Sequence, residues 1–156
     1  MNSIKLEIMN KKRREIKVVF TNGIYDIMHL GHFQILQFAK SLGDKLVVGI
    51  NSDRSTKELK GPTRPINTEE VRRTNLLALH YVDEVVIFDE IRTAKVIKRV
   101  HPNIVVKGGE WTPEKVREID GIPPEIEVVV CPLVLKPSGE KYSTTSIIEE
   151  MNGKKS

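Results

Sequence analysis

Val18-Val19-Phe20-Thr21-Asn22-Gly23-Ile24-Tyr25-Asp26-Ile27-Met28-His29-Leu30-Gly31-His32 is the stretch on which the reading of this chain turns. It begins as a β-like apolar run at Val18-Val19-Phe20, passes a turn at Thr21-Asn22-Gly23 and reaches an acid at Asp26. It then opens a segment in which Ile35, Leu36, Ala39 and Leu42 recur at helical spacing up to Gly43. A strand, a glycine turn and a helix start together form a phosphate site, because free backbone N–H groups and the positive end of the helix dipole converge on one spot. His29 and His32 add side-chain donors, and Gly31 between them leaves room for close approach. The stretch is expected to hold a polyphosphate.

Two other readings compete for the histidines. Imidazoles three residues apart on a helix also serve as packing or capping groups. Asp26, His29 and His32 form a conceivable metal set, but the only cysteine, Cys131, is distant in sequence and no fourth ligand has structural-zinc spacing. The flanking strand, turn and helix favour phosphate, and no metal held by a dedicated protein cage is expected.

Working outward, apolar β-rich runs at Ile16–Phe20, Lys45–Asn51, Glu84–Phe88, Ile104–Lys107 and Glu127–Cys131 alternate with helix-like segments. The helices are expected near Gly31–Leu42, Thr68–Leu79, Arg92–Val100 and Pro113–Ile119, with a last one at Ser146–Met151. The strands are continuously apolar, as when helices cover both faces of a sheet. The fold class is α/β: a single-domain, Rossmann-like, doubly wound parallel sheet of about five strands, with ligands at the carboxyl ends. Asn22 to His32, Ser52 to Arg64, Gly108 to Trp111 and Ser143 to Thr145 all follow predicted strands, as that rule requires. Domain organisation reads as a basic arm over 1–15, the domain over 16–151 and a tail over 152–156.

The chain has 156 residues, 39% hydrophobic and 29% charged, which suits one soluble globular domain. No apolar run approaches the ~20 residues of a membrane span, and no signal-peptide core is present, so no membrane partner is expected. A single cysteine excludes an intrachain disulfide and points to a reducing, cytoplasmic setting. The net charge of +4 includes Lys11-Lys12-Arg13-Arg14. A short basic run can mark nucleic-acid binding, but none of the eight aromatic residues interleaves with it to form a stacking platform, so a solvated arm is preferred.

Phe20 to His32, with Gly49-Ile50-Asn51-Ser52-Asp53, Leu59-Lys60-Gly61, Arg64-Pro65-Ile66-Asn67 and Arg72, resembles the signature of the cytidylyltransferase-like nucleotidyltransferases. The resemblance continues through Val82-Asp83-Glu84-Val85-Val86, Val106-Lys107-Gly108-Gly109-Glu110 and Ser143-Thr144-Thr145, in the family's order. The Lys-Gly-Gly-acid and Asn-Ser-Asp blocks are most similar to those of the heptose 1-phosphate adenylyltransferases, with glycerol-3-phosphate and choline-phosphate cytidylyltransferases more distant.

The resemblance implies nucleotidyl transfer: a substrate phosphate oxygen attacks the α-phosphorus of a nucleoside triphosphate, and pyrophosphate leaves. Catalysis is then mainly positioning and charge stabilisation. It implies His29, His32, Lys60 and Arg72 as catalytic donors and clamps. It implies nucleotide contacts from Phe20, Thr21, Asn22, Gly23, Gly31, Lys107, Gly108, Glu110, Trp111, Ser143, Thr144 and Thr145. Tyr25, Asp26, Asn51, Asp53, Lys57 and Arg64 are expected on the acceptor side. Magnesium would arrive mainly with the triphosphate. The expected partners are therefore a nucleoside triphosphate, ATP, and a phosphorylated sugar, heptose 1-phosphate; the alternatives are CTP with glycerol 3-phosphate or another phosphorylated alcohol and, more remotely, a non-catalytic nucleotide-binding module. A homodimer is compatible with this reading, and a separate kinase is expected to supply the phosphorylated substrate.

The bland readings stand beside these. Ser52–Arg64 reads as a polar, flexible, basic loop, with Lys60 mobile enough to close on phosphate. Arg73 would point elsewhere on a helix than Arg72. Gly108-Gly109 suits a structural turn, and Ser143-Thr144-Thr145 suits a helix N-cap. His80 and His101 are expected to be structural, and Cys131 a small buried hydrophobe. Lys136 to Tyr142 departs from both subfamily patterns and leaves the base open.

Overall fold

The computed structural model describes residues 14–153. The expected runs form β1 (Val18–Gly23), β2 (Lys45–Asn51), β3 (Glu84–Phe88), β4 (Ile104–Gly108) and β5 (Glu127–Cys131). They make one sheet in the order β3-β2-β1-β4-β5, with every neighbouring pair parallel. The helices are α1 (Leu30–Ser41), α2 (Asp53–Lys60), α3 (Glu69–Leu77), α4 (Ala94–Val100), α5 (Pro113–Asp120) and α6 (Thr144–Gly153). The chain winds outward from β1 in one direction through β2 and β3, then returns to β4 and β5. The reversal falls between β1 and β4, the topological switch point where open α/β sheets bind ligands.

Residues adjacent along a strand belong to different cores. Val19, Leu46, Val48, Ile104 and Val106 join Leu36 and Ala39 of α1 and Leu76 of α3. Phe20, Val47 and Val105 join Val96 and Ile97 of α4 and Val116 of α5. Both faces are therefore covered, and the continuous apolar strands follow from that burial. Among the described residues, no helix is long and apolar enough to cross a membrane.

Three boundaries differ from expectation. β1 begins two residues later than Ile16 and runs through Thr21-Asn22-Gly23, which pair with Val48, Gly49 and Ile50 rather than turning. Before it, the Lys17 carbonyl accepts from the Asp44 and Lys45 N–H groups, which closes the approach to β2. Ser52–Arg64 is not a loop throughout, because α2 occupies most of it. Ser52 caps this helix by accepting from Ser55 N. α6 starts at Thr144, two residues earlier than expected. Most of the basic arm and the end of the tail, residues 1–13 and 154–156, lie outside the described residues.

Candidate active site

The site is built around the first turn of α1. His29 is its N-cap in extended conformation, and its backbone N–H donates to His32 Nδ1 at 3.3 Å. Because Nδ1 accepts, the proton of a neutral His32 resides on Nε2, which makes that nitrogen a donor. The two rings stack at 3.8 Å with 21° between planes. Burial, with His29 as the next cause, pushes the His32 pKa down to about 3. Burial and then the Lys136 charge also lower His29, whose Nδ1 is enclosed without a partner. Both imidazoles are thus neutral near pH 7. They offer hydrogen bonds rather than full charges.

Tyr25 backs this pair. Its ring centroid lies 5.0 Å from that of His32, and its backbone is left-handed, with φ of 52°. A non-glycine residue in that region carries local strain and persists when its surroundings over-determine it. Gly23 is required beside it, since a Cβ there would come within 2.9 Å of the Tyr25 ring. Burial raises the Tyr25 pKa well above the ordinary phenol range, so its hydroxyl stays protonated.

Two cavities meet at these residues. One, of about 270 Å³, extends from Gly23 and the histidines past Gly108 to Cys131, Pro132 and Tyr142. The other, of about 330 Å³, extends from the same histidines to Asn51, Lys60, Arg64 and the Ser143-Thr144-Thr145 start of α6. Gly23, Tyr25, His29 and His32 line both. Asn22, Gly31 and Gly108 belong to the first alone, and Asp26 to the second alone.

Behind the second cavity the charged residues are largely committed to one another. The fully buried Asp26 carboxylate accepts from Arg64 Nε at 3.1 Å and from the Ile66 and Asn67 N–H groups at 2.8 Å each. It anchors the wall and is not free for an acceptor. Arg72 requires a larger correction. Its side chain is 0% exposed, lines neither cavity, and donates to Ile24 O at 2.8 Å, Asn67 O at 3.1 Å and Asp53 Oδ1 at 2.9 Å. An unpaired guanidinium does not enter an interior, and these three acceptors explain its burial. Asp53 is accordingly its partner rather than part of either lining, and Lys57 is exposed on α2 away from both. Lys60, on the last turn of α2, does reach the second cavity.

The nucleotide-side residues divide similarly. Phe20 is buried in the core facing α4 and α5, so its side chain contributes packing, not ligand contact. The Thr21 hydroxyl donates to Val106 O at 2.9 Å, tying β1 to β4. Asn22 Oδ1 accepts from Lys107 Nζ, and that ammonium also pairs with Asp120 at 2.8 Å. Lys107 and Trp111 line a separate cavity of about 180 Å³ with Val116, Ile119 and Asp120. Trp111 is therefore not a wall of the cavity beside the histidines. Glu110 pairs with Lys141 at 3.4 Å and lines neither main cavity.

Sequence reasoning passed over Gln34, Ile35, Pro132, Leu133 and Val134, all of which line the first cavity, as does Tyr142 from the Lys136–Tyr142 stretch on which the choice of base turns. Two signals were available. Gly31, Gln34 and Ile35 are spaced at i, i+3 and i+4, so one helix face presents all three. The segment after Cys131 follows the carboxyl end of a strand, where the same rule places ligands. Cys131 is buried as expected and contributes to this wall as well. Leu135 bridges to Lys141, folding residues 135–141 back so that the Tyr142 ring lies 6.1 Å from His29.

Among the described residues, no three His, Cys, Asp or Glu side chains gather as a metal cluster. The cavity linings carry imidazole, lysine, arginine and hydroxyl groups, with the Asp26 carboxylate already bonded.

Comparison with known proteins adds an independent line. The bifunctional protein HldE of Campylobacter fetus subsp. fetus is 45% identical over 147 residues, which is 94% of this chain and 30% of that protein. The bifunctional protein HldE of Nitratiruptor sp. is 46% identical over 148 residues, with the same shares of 94% and 30%. The chain thus spans about 30% of the length of the curated relatives it matches. The crystal structure of the lipopolysaccharide core biosynthesis protein from Thermoplasma volcanium superposes with a TM-score of 0.62 at 29% identity, covering 83% of this chain and all of that one. Pantothenate synthetase from Thermus thermophilus, at 16% identity, superposes with a TM-score of 0.66 over 96% of this chain and 68% of its own, a likeness of fold alone. Residues 20–150 match the cytidylyltransferase-like family, which spans the switch point, the histidine pair and both cavities, and the chain belongs to that family of nucleotidyltransferases.

Proposed function

We propose that the protein transfers an adenylyl group from ATP to a heptose 1-phosphate, releasing pyrophosphate and forming an ADP-sugar. The observation that carries this reading is the pair of cavities joined at Gly23, Tyr25, His29 and His32. A two-substrate transfer needs a chamber for each substrate and donors where they meet. The Asn51-Ser52-Asp53 and Lys107-Gly108-Gly109-Glu110 blocks and the HldE relatives support a heptose phosphate as acceptor.

In this reading the triphosphate lies along the first cavity with its α-phosphate at the start of α1, and the acceptor phosphate enters from the second. An acceptor oxygen forms the new bond to the α-phosphorus as the bond to the departing pyrophosphate breaks. That oxygen is already ionised near pH 7, so no general base is required. Neutral His32 donates through Nε2–H, His29 lies stacked against it, and Lys60 adds positive charge from the acceptor side. These donors act on charge that develops in the transition state, in a pocket partly shielded from water. Arg72 and Asp26 act behind the wall as positioning residues, holding Ile24, Ile66 and Asn67.

Magnesium fits as an ion carried by the triphosphate, because the linings are rich in nitrogen donors and the nearby carboxylate is committed; when bound it would neutralise phosphate charge. The test is pyrophosphate release measured with ATP, CTP, GTP and UTP against heptose 1-phosphate, glycerol 3-phosphate and choline phosphate, with and without chelator. Turnover with ATP and heptose 1-phosphate, abolished by chelator and restored by Mg²⁺, is expected. Preference for CTP with glycerol 3-phosphate would replace this assignment with that of a cytidylyltransferase acting on a phosphorylated alcohol.

A further inference from the structure

Tyr142 lines the first cavity and not the second, and the chain fixes it there from both sides. Before it, residues 135–141 are folded back by the Leu135–Lys141 bridge and by the Lys136 N–H, which donates to Glu140 O at 2.8 Å. After it, the Thr144 hydroxyl donates to Ile27 O at 2.7 Å and ties the start of α6 to the segment leading into α1. Its Cβ stands over Gly31, where an added Cβ would come within 3.5 Å of it. A tyrosine held between such anchors has little freedom left to lose when a ligand arrives.

The ring is half-buried, and its plane lies within 20° of the His29 imidazole. The two centroids are 6.1 Å apart, against 3.8 Å for the overlapping His29–His32 pair. At that separation the imidazole does not cover the phenol, so the π face of Tyr142 is not spent on His29. Ile35, Cys131, Pro132, Leu133 and Val134 make the rest of this lining largely apolar. An aromatic ring in an apolar chamber that opens onto two imidazole donors fits a flat heteroaromatic group joined to phosphate.

We infer that Tyr142 is a binding residue on which the base of the nucleoside triphosphate stacks, adding affinity for the nucleotide without choosing among bases. This rests on the assignment of the first cavity to the nucleotide. With the α-phosphate at the start of α1, the ribose and base extend away from His29 into the part of the cavity that Tyr142 and the apolar residues line. Every base has a π face, so such a stack tolerates any of them.

The test measures calorimetric dissociation constants for ATP and CTP, and the NMR shifts of the bound base protons, in the wild type, Tyr142→Phe and Tyr142→Leu. In the wild type the base protons should move upfield on binding, under the ring current of the phenol. Phenylalanine offers the same kind of face, so Tyr142→Phe should keep that shift and hold affinity within about twofold. Leucine keeps apolar bulk over Gly31 but has no π face. Tyr142→Leu should therefore lose the shift and weaken ATP and CTP alike by about fivefold to a hundredfold, the worth of one base–aromatic stack. The loss should appear in KM for the nucleotide and not in KM for heptose 1-phosphate. Nucleotide binding that depends on the ring, without turnover on heptose 1-phosphate, would support the stack while removing the acceptor assignment. No upfield shift in the wild type, wild-type affinity in folded Tyr142→Leu, equal losses in the Phe and Leu variants, a loss confined to one base, or no binding of either nucleotide would overturn the inference.

Discussion

Replacing Arg72 with alanine separates two roles that its position in sequence does not distinguish. If the guanidinium clamps phosphate, the variant folds normally and fails in catalysis. If it supports the wall, the variant loses stability. The side chain is wholly buried and donates to two backbone carbonyls and to Asp53, whose side chain is 34% exposed. Removing one partner of a buried ion pair destabilises by about 3–5 kcal/mol. Partial hydration of Asp53 after the change argues for the lower end, about 3 kcal/mol. A domain of this size loses about 2–4 °C of melting temperature per kcal/mol, so the expected decrease is roughly 6–12 °C, with a matching fall in the urea midpoint at constant slope. Arg73→Ala is the internal comparison. Its side chain is 46% exposed and its contact to Glu70 is 3.9 Å long, so the change should remain within about 0.5 kcal/mol. Melting followed by circular dichroism, with pyrophosphate release measured on the same samples, decides the matter. A Tm within a degree of wild type together with a large loss of turnover would refute the supporting role.

His29→Ala and His32→Ala should each lower turnover by roughly 10²-fold or more with melting close to wild type, since on the proposed reading each removes a donor that lines both cavities rather than a core residue. Imidazole NMR should find His32 neutral from pH 8 down to 5 in the free protein, because burial holds its pKa near 3. The unfolded state protonates this group near 6.5, so the unfolded state binds more protons below that pH. The contribution of His32 to stability is therefore intact above 6.5 and is lost progressively as pH falls toward 3; His32→Gln should flatten the slope of stability against pH in that window. Lys60→Ala should weaken catalysis by about tenfold, whereas Lys57→Ala on the same helix should change it less than about twofold, because directed charge stabilisation depends on position and diffuse surface charge is screened. Equal losses that fade together with salt would instead indicate a general charge effect.

The alternation of apolar runs with helical periodicity was enough to identify all five strands and the doubly wound class, because burial of both sheet faces imprints itself directly on strand composition. The strand, glycine and helix order around Gly23 and Gly31 likewise drew attention to the place where the two cavities meet, since that geometry is local in sequence. α2 was missed because its eight residues are mostly polar and its one large apolar side chain, Leu59, is exposed, so helical periodicity had nothing to register. Arg72 and Lys60 look alike as basic residues. Only the tertiary structure buries the first against Ile24, Asn67 and Asp53 and directs the second into a cavity. Trp111 faces away from the histidines for a related reason: the turn after β4 carries it toward α5, a direction that depends on how the helix packs. Gln34, Pro132 and Tyr142 meet across about a hundred residues of chain, at the end of a sheet whose strand order is not written in any one segment. Sequence determined the elements and the chemistry available to them, because both follow from neighbours along the chain. Which groups are spent on one another and which remain free for a ligand depends on contacts between distant segments, and only folding decides those.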